Sequence, residues 1–139
     1  MIVINAENQI IGRLAAYVAK QALLGEEVYV VNCEKAVVSG KKADILQKYK
    51  RNRSLGIPQQ GPYYRRSAEF IVKRTIRGML PYKKEKGASA YKRIKCYKHL
   101  PSEFAEKELQ KVPGADHSKI IKTNIVTVGE ISKELGAKI

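Results

Sequence analysis

The first part of the chain alternates short runs of β-branched residues with one long amphipathic segment. Residues 2–4 (Ile-Val-Ile) predict a buried strand, and the polar cluster at residues 5–8 is typical of a turn. Apolar residues then recur at helical spacing over residues 11–22, and Gly25 stands where a helix ends. Residues 28–31 predict a second strand without one-sided alternation. Strand, helix and strand predict a right-handed βαβ unit with a parallel sheet covered on both faces.

The middle of the chain predicts two helices separated by a long loop. The first helix opens after residues 39–42 and turns Ile45, Leu46 and Tyr49 inward. Residues 53–66 contain two Gly and two Pro, which excludes a regular element and predicts a long exposed loop.

The second of these helices has an apolar side and a basic side. We expect Ser67 to be its N-cap and Pro81 to end it. Its inward residues are predicted to be Ala68, Ile71, Val72, Ile76, Met79 and Leu80. The opposite side carries Lys73, Arg74 and Arg77, which makes it a candidate for phosphate contact.

The last part of the chain predicts shorter elements. A helix is expected before residue 94, broken by Gly87, and residues 94–97 fit a strand or an extended link. Acidic residues and helical spacing over residues 102–112 predict an acidic helix. A strand over residues 123–128 and a short helix over residues 130–135 follow.

Length and hydrophobic content fit one domain, residues 1–139. The chain has 139 residues, of which 44% are hydrophobic, enough for one core of ordinary size. Its apolar runs are far shorter than the roughly 20 residues that span a bilayer. The first residues lack the basic and apolar regions of a signal peptide, so we expect a cytoplasmic protein.

The excess positive charge is confined to one stretch. Residues 41–99 hold 18 Lys or Arg against 3 Asp or Glu, whereas the rest of the chain holds 9 against 10. Such a local excess raises the concentration of a polyanion at the surface, which indicates a nucleic-acid partner. No motif suggests a small-molecule substrate.

The basic residues of this stretch cluster with tyrosines. Six of the eight Tyr lie in it, and Tyr63 and Tyr64 directly precede Arg65 and Arg66. Lys and Arg contact phosphates, while tyrosine offers a flat face to an unpaired base and a hydroxyl to a ribose, so the pattern favours RNA over duplex DNA. Two alternatives are a solvated basic face with half-buried tyrosines and a membrane surface, although no basic helix with a strong apolar face is visible.

Other chemistries find little support in the sequence. Residues 40–42 (Gly-Lys-Lys) lack the earlier Gly and the Ser or Thr of a phosphate-binding P-loop, so no nucleotide cofactor is expected. Cys33 and Cys96 should be reduced, and with His99 and His117 they lack the paired spacing of a zinc site. No metal, cofactor or catalytic residue is therefore predicted.

The carboxylates of the basic stretch do not fit a nuclease. We expect Asp44, Glu69 and Glu85 to pair with neighbouring cations or to lie at helix N-termini rather than to hold two metal ions.

Six short motifs stand out along the chain, at residues 5–7, 11–15, 31–34, 38–42, 77–81 (Arg-Gly-Met-Leu-Pro) and 91–97. In this order and at this spacing they resemble the universal L-thirteen family of large-subunit ribosomal proteins, and residues 77–81 are the most telling. Residues 61–64 and 74–82 resemble the archaeal and eukaryotic branch, and the modest length is similar to archaeal members. Asn5, where bacterial members have Asp, and the predicted acidic helix depart from the bacterial pattern.

The resemblance implies a three-layer α/β/α fold with a small, mostly parallel sheet of about four strands, plus basic loop and helical extensions. It implies a non-enzymatic protein that binds large-subunit (23S-type) ribosomal RNA in the cytoplasmic ribosome, contacts neighbouring ribosomal proteins and supports early subunit assembly. The tyrosine clusters add Tyr63 to the contacts that it implies. The resulting RNA-binding set is Arg13, Lys41, Lys42, Lys48, Arg51, Arg53, Tyr63, Arg65, Arg66, Arg74, Arg77, Lys83, Lys84, Lys86, Lys92 and Arg93.

Two other functions stay open at this point. One is an RNA chaperone or regulator that binds RNA outside a large particle. The other is a nucleic-acid-processing enzyme, which magnesium-dependent cleavage by the purified protein would reveal.

Overall fold

The structure, a computed structural model, describes residues 1–116 and 124–137. Its helices are α1 (Ile11–Leu23), α2 (Lys42–Ser54), α3 (Ala68–Gly78), α4 (Glu85–Lys92) and α5 (Val128–Glu134). Its strands are β1 (Ile2–Asn5), β2 (Val28–Val31), β3 (Val37–Ser39), β4 (Ile94–Cys96) and β5 (Ile125–Thr127). Two 3₁₀ turns span Cys33–Lys35 and Ser102–Phe104.

The strands form two small sheets. β1, β2 and β4 make a parallel sheet in that order, with Ile2 opposite Val28 and Val28 opposite Ile94. β3 and β5 make an antiparallel pair. The predicted β1–α1–β2 unit with parallel strands and the predicted α/β class are therefore confirmed, with five described strands in two sheets.

Helices cover one face of the parallel sheet. Ile4, Val30 and Ile94 point to this side and pack into one buried cluster with Leu14 of α1 and Ile71 of α3. Helix α1 contacts α3 and α4, and α3 contacts β4. This packing fixes the orientation of α3 relative to the sheet, which decides where its basic side faces.

The other face of the sheet is covered without the predicted acidic helix. Val3 and Val31 pack there against Phe104, and only Ser102–Phe104 of the predicted segment is helical, as a 3₁₀ turn. Beyond it, the backbone of Gln110 donates to the Val3 carbonyl and accepts from Asn5, both at 2.9 Å. The acidic helix was a wrong prediction because an extended chain satisfies the open edge of β1, which helical spacing cannot reveal.

Two predictions about the α3–α4 region are also wrong. Met79 is 44% exposed rather than turned into the core. Gly87 does not break a helix but lies buried inside α4. A Cβ at Gly87 would lie 2.0 Å from the Pro81 carbonyl oxygen, so glycine here allows a close approach of two backbone segments.

The end of the chain follows its prediction where it is described. Residues 125–127 form the predicted strand, and the predicted short helix begins at Val128, two residues earlier than expected. The start of the predicted strand, at residue 123, and His117 lie outside the described residues.

Candidate nucleic-acid interface

Helix α3 has the two faces that its sequence predicts. Ala68, Ile71, Val72 and Ile76 are fully buried. Ser67 occupies the N-cap position, although its side chain makes no capping hydrogen bond. Because the apolar side packs against the core, the basic side of the helix faces outward.

An open groove of about 360 Å³ runs along this basic side. We call it the aromatic groove, since aromatic and basic side chains alternate along its walls. The lining residues are Tyr63, Tyr64, Arg65, Phe70, Lys73, Arg74, Arg77 and Tyr91. It therefore combines residues of the loop before α3 with residues of α3 and α4.

The cations of the aromatic groove rest on aromatic rings. The guanidinium of Arg65 lies 4.2 Å from the centre of the Phe70 ring, and that of Arg74 lies 5.6 Å from Tyr64. The ammonium of Lys73 lies 4.8 Å from Tyr91. Each such contact is worth roughly 0.5–1 kcal/mol at an exposed site. It steadies a long side chain that would otherwise lose more entropy when it binds a ligand.

A fourth contact extends the pattern beyond the groove. The guanidinium of Arg77 lies 4.1 Å from the ring of Tyr82, in the turn after α3. A guanidinium that rests on a ring with its flat face keeps in-plane N–H groups for a phosphate. The arrangement therefore leaves the phosphate-binding capacity of the arginines intact.

The carboxylates of the basic stretch do not line the groove, although Glu69 borders an adjoining pocket with Phe70 and Lys73. Asp44, Glu69 and Glu85 stand in the first turns of α2, α3 and α4, where negative charge complements the helix dipole. None of the three forms an ion pair within residues 1–116 and 124–137. Their predicted place at helix N-termini is confirmed, and the cations of the groove keep their charge unneutralised.

Tyr64, which lines the groove, packs against the buried Tyr49 of α2. The ring of Tyr64 meets the ring of Tyr49 edge-on, at 6.3 Å between centres. Burial raises the pKa of Tyr49 to about 12 and also raises the pKa of Tyr64. Both hydroxyls are therefore protonated at neutral pH and add no negative charge beside the cations.

Other predicted residues lie on elements that adjoin the groove residues in the chain. Lys42, Lys48, Arg51 and Arg53 are on α2, with Lys41 at its N-cap position. Arg53 donates from its guanidinium to the Tyr64 carbonyl at 2.8 Å, which ties the end of α2 to the loop. After α3, exposed lysines lie at Lys83, Lys84, Lys86 and Lys92. Arg66 is exposed, and its carbonyl accepts from the Ser132 hydroxyl at 2.7 Å.

Two further predicted arginines also donate from their guanidinium groups to backbone carbonyls of the chain, as Arg53 does. Arg13 donates to the Gly114 carbonyl at 2.7 Å, and Arg93 donates to the Ala22 carbonyl at 2.9 Å near the end of α1. The structure does not bring either of them into the aromatic groove.

The predicted set of RNA contacts omitted four lining residues of the groove, namely Tyr64, Phe70, Lys73 and Tyr91. A signal was present for Lys73, which precedes Arg74 and lies four residues before Arg77, on the basic side of α3. The contact of Phe70 with Arg65 had no such sequence signal, because it forms where the loop joins α3.

Comparison with known proteins assigns the fold to a family. The family model of Ribosomal protein L13 matches residues 1–103. The chain belongs to the ribosomal protein L13 family. A relative from Methanococcus maripaludis, named large ribosomal subunit protein uL13, is 47% identical over 143 residues that cover 99% of both chains. Another of that name, from Methanococcoides burtonii, is 44% identical over 138 residues, again 99% of both.

A third L13 relative comes from Archaeoglobus fulgidus, with 42% identity over 96% of this chain and 86% of its own. The archaeal relatives confirm the resemblance drawn from the sequence motifs, including its archaeal type. Because L13 is a family of ribosomal proteins, its membership also confirms the prediction that the chain is not an enzyme.

The cysteines of this L13 chain are free thiols. A hydrogen bond with the Cys96 thiol, together with burial, raises the pKa of Cys33 well above its usual range, which disfavours the thiolate that a metal requires. The ring nitrogen Nδ1 of His99 lies 2.9 Å from a carboxylate oxygen of Glu34.

The described part of the chain shows neither a metal-binding cluster nor a membrane-spanning helix. Over residues 1–116 and 124–137, no group of three or more His, Cys, Asp or Glu is placed to hold a metal ion. In that part of the chain, no helix has the length and apolar character to cross a membrane.

Proposed function

We propose that the chain is a structural constituent of the large ribosomal subunit that binds large-subunit RNA through its basic face. In this proposal the basic face is the aromatic groove together with α2 and the lysines after α3, and the predicted RNA-binding set supplies most of its phosphate contacts. The observation that carries it is the groove itself, whose walls hold four cations, four aromatic rings and, among the described residues, no carboxylate. This combination suits a partner that offers both phosphates and bases.

The relatives support the same partner. They carry the name large ribosomal subunit protein uL13, and each match spans nearly the full length of both proteins. By the same proposal, the chain acts as one RNA-binding unit in the cytoplasmic ribosome, adjoins other subunit proteins and joins the particle early in assembly.

The direct test removes four cations from the proposed face. The variant changes Arg74, Arg77, Lys83 and Lys84 to Gln, and the probe is large-subunit RNA of an archaeon. Each lost phosphate contact should weaken binding about tenfold at 0.1 M salt and lower the slope of log K against log salt by about 0.7–0.9. Filter binding across a salt series measures both quantities.

A matched control removes the same charge elsewhere. It changes Lys20, Lys35, Lys111 and Lys133 to Gln, all outside residues 41–99. We expect this control to change affinity by less than the loss of one phosphate contact. If the control variant weakened binding as much as the first variant, net charge alone would explain binding and the assigned face would be wrong.

A second experiment separates a subunit component from a free RNA binder. Cell lysate is sedimented through a sucrose gradient at low salt and after a high-salt wash, and the protein is detected across the fractions. A component of the subunit should co-sediment with large subunits in equal amount and survive the wash. Protein at the top of the gradient would favour an RNA chaperone or regulator instead.

A further inference from the structure

Tyr63 is the most exposed ring of the aromatic groove. Its side chain is 68% exposed, and its hydroxyl donates to the Pro58 carbonyl at 2.7 Å. The hydroxyl proton is therefore already used in a hydrogen bond within the chain. What Tyr63 offers to a partner is the face of its ring.

The other rings of the groove are already covered by cations. Phe70, Tyr64 and Tyr91 each lie under an arginine or lysine side chain. Among the residues that the structure describes, no cation lies over Tyr63. The groove thus has one open aromatic face beside several cations.

The loop holds this ring in place. Gly61 donates from its backbone to the Ile57 carbonyl at 2.9 Å and closes a tight turn. A Cβ at Gly56 would lie 2.0 Å from the Gly61 carbonyl oxygen, and Gly56 has a φ of +84°, so glycine is required for this close approach. A ring that is fixed before binding loses little entropy when a ligand stacks on it.

We propose that the aromatic groove holds one unpaired RNA nucleotide, whose base stacks on Tyr63 and whose flanking phosphates contact Arg74 and Arg77. The inference rests on the proposed RNA-binding function and adds the class of RNA element that this groove takes. A groove of about 360 Å³ is near the lower end of small-ligand pockets, so it accepts a nucleoside and not a double helix. A duplex also keeps its base faces stacked inside and has no use for an open ring.

The test compares two RNA hairpins that differ by one nucleotide. One carries a single bulged 2-aminopurine in its stem, and the other has the same stem fully paired. We expect the wild-type protein to bind the bulged hairpin more tightly and to change the fluorescence of the bulged base. Tyr63→Leu should weaken binding to the bulged hairpin by about fivefold or more, which is the loss of one stacked base, and should leave the paired hairpin unchanged.

Tyr63→Phe is the matched variant. It keeps the ring and removes only the hydroxyl bond to Pro58, so it should retain most of the preference for the bulge. Thermal unfolding of both variants should match the wild type, because the side chain is largely exposed. A structural role for the hydroxyl bond would instead lower the stability of both variants and leave the preference unchanged, which would overturn the inference.

The outcomes separate this inference from the proposed function. Equal, salt-dependent binding of both hairpins, with no effect of Tyr63→Leu, overturns the stacked nucleotide but leaves RNA binding intact. Absence of binding to both hairpins and to large-subunit RNA overturns the proposed function itself. A competition experiment adds adenosine monophosphate to the complex of the protein with the bulged hairpin. If micromolar adenosine monophosphate displaced the hairpin, the groove would be a site for a free nucleotide, and the proposal of an unpaired RNA nucleotide would be overturned.

Discussion

The arginines near the ends of α1 and those along α3 show two uses of the same side chain. At the α1 ends, Arg13 and Arg93 donate to the carbonyls of Gly114 and Ala22. Along α3, Arg74 and Arg77 rest on tyrosine rings, with no carboxylate lining the groove. A guanidinium that donates to a backbone carbonyl joins two parts of the fold, whereas one on a ring stays available to a phosphate. The role of an arginine thus depends on its partner rather than on the local charge.

Helices α1 and α3 pack together through one buried apolar cluster, and a change inside this cluster gives the largest predicted effect. Ile71→Ala removes a fully buried side chain from the shared cluster and should lower the free energy of unfolding by about 2–5 kcal/mol. Urea denaturation measures the loss. RNA affinity of the folded protein should stay within twofold, because the outward side of α3 is untouched.

Met79→Ala is the control for Ile71→Ala. Met79 was predicted to be buried but is largely exposed, so this change should alter stability by less than about 0.5 kcal/mol. Equal losses in the two variants would mean that the inward side of α3 is wrongly assigned.

Tyr49 lies in the core behind Tyr64, and the pH dependence of stability should show its burial. The pKa of Tyr49 is about 12 in the folded protein against 10.0 for an ordinary tyrosine. The stability that the protonated Tyr49 contributes is therefore fully present below pH 10. As the pH rises through 12, the free energy of unfolding should fall by about 2–3 kcal/mol. Tyr49→Phe should therefore flatten the fall in stability between pH 10 and 12, measured by urea denaturation at each pH.

Tyr63→Phe serves as the comparison variant in that series. It removes an exposed tyrosine hydroxyl and leaves Tyr49 in place, so the alkaline loss should match that of the wild type. A flattened profile in this variant as well would assign the loss to something other than burial of Tyr49.

The contrast between Arg93 and Arg77 can be measured with two single variants. Arg93→Gln removes a charged donor near the C-terminal end of α1 and should cost about 1–2 kcal/mol of stability, with little change in RNA affinity. Arg77→Gln should weaken RNA binding about tenfold at 0.1 M salt and lower stability by no more than the contact of Arg77 with Tyr82, about 0.5–1 kcal/mol. Urea denaturation and filter binding of both variants measure stability and RNA affinity. If both variants lost stability and affinity to the same extent, the two arginines would not differ in role.

The sequence predicted those features that depend on local patterns. The β1–α1–β2 unit and the buried residues of α3 follow from the spacing of apolar residues. The basic side of α3 follows from the same spacing. Family membership followed from the order of short motifs. Each of these signals lies within a stretch of chain that is short enough to be read directly.

Features that depend on contacts between distant segments of the chain could not be predicted from the sequence. The stretch around Gln110 is extended because it pairs with β1, more than a hundred residues earlier, and its helical spacing gave no sign of this. Arg93 donates to the Ala22 carbonyl across 71 residues, a contact that no local pattern predicted. Phe70 has a role in the groove only because the preceding loop places Arg65 over it.

Arg13 gives the smallest predicted effect and the sharpest test of the distinction between the two groups of arginines. The resemblance to the family implied an RNA contact for this residue, whereas the structure shows its guanidinium 2.7 Å from the Gly114 carbonyl at an exposed position. If the carbonyl is its main partner, Arg13→Gln should lower stability by about 0.5–1 kcal/mol and leave the salt dependence of RNA binding unchanged. A salt slope reduced by about 0.7–0.9 would instead assign Arg13 to a phosphate and extend the RNA-binding face to α1.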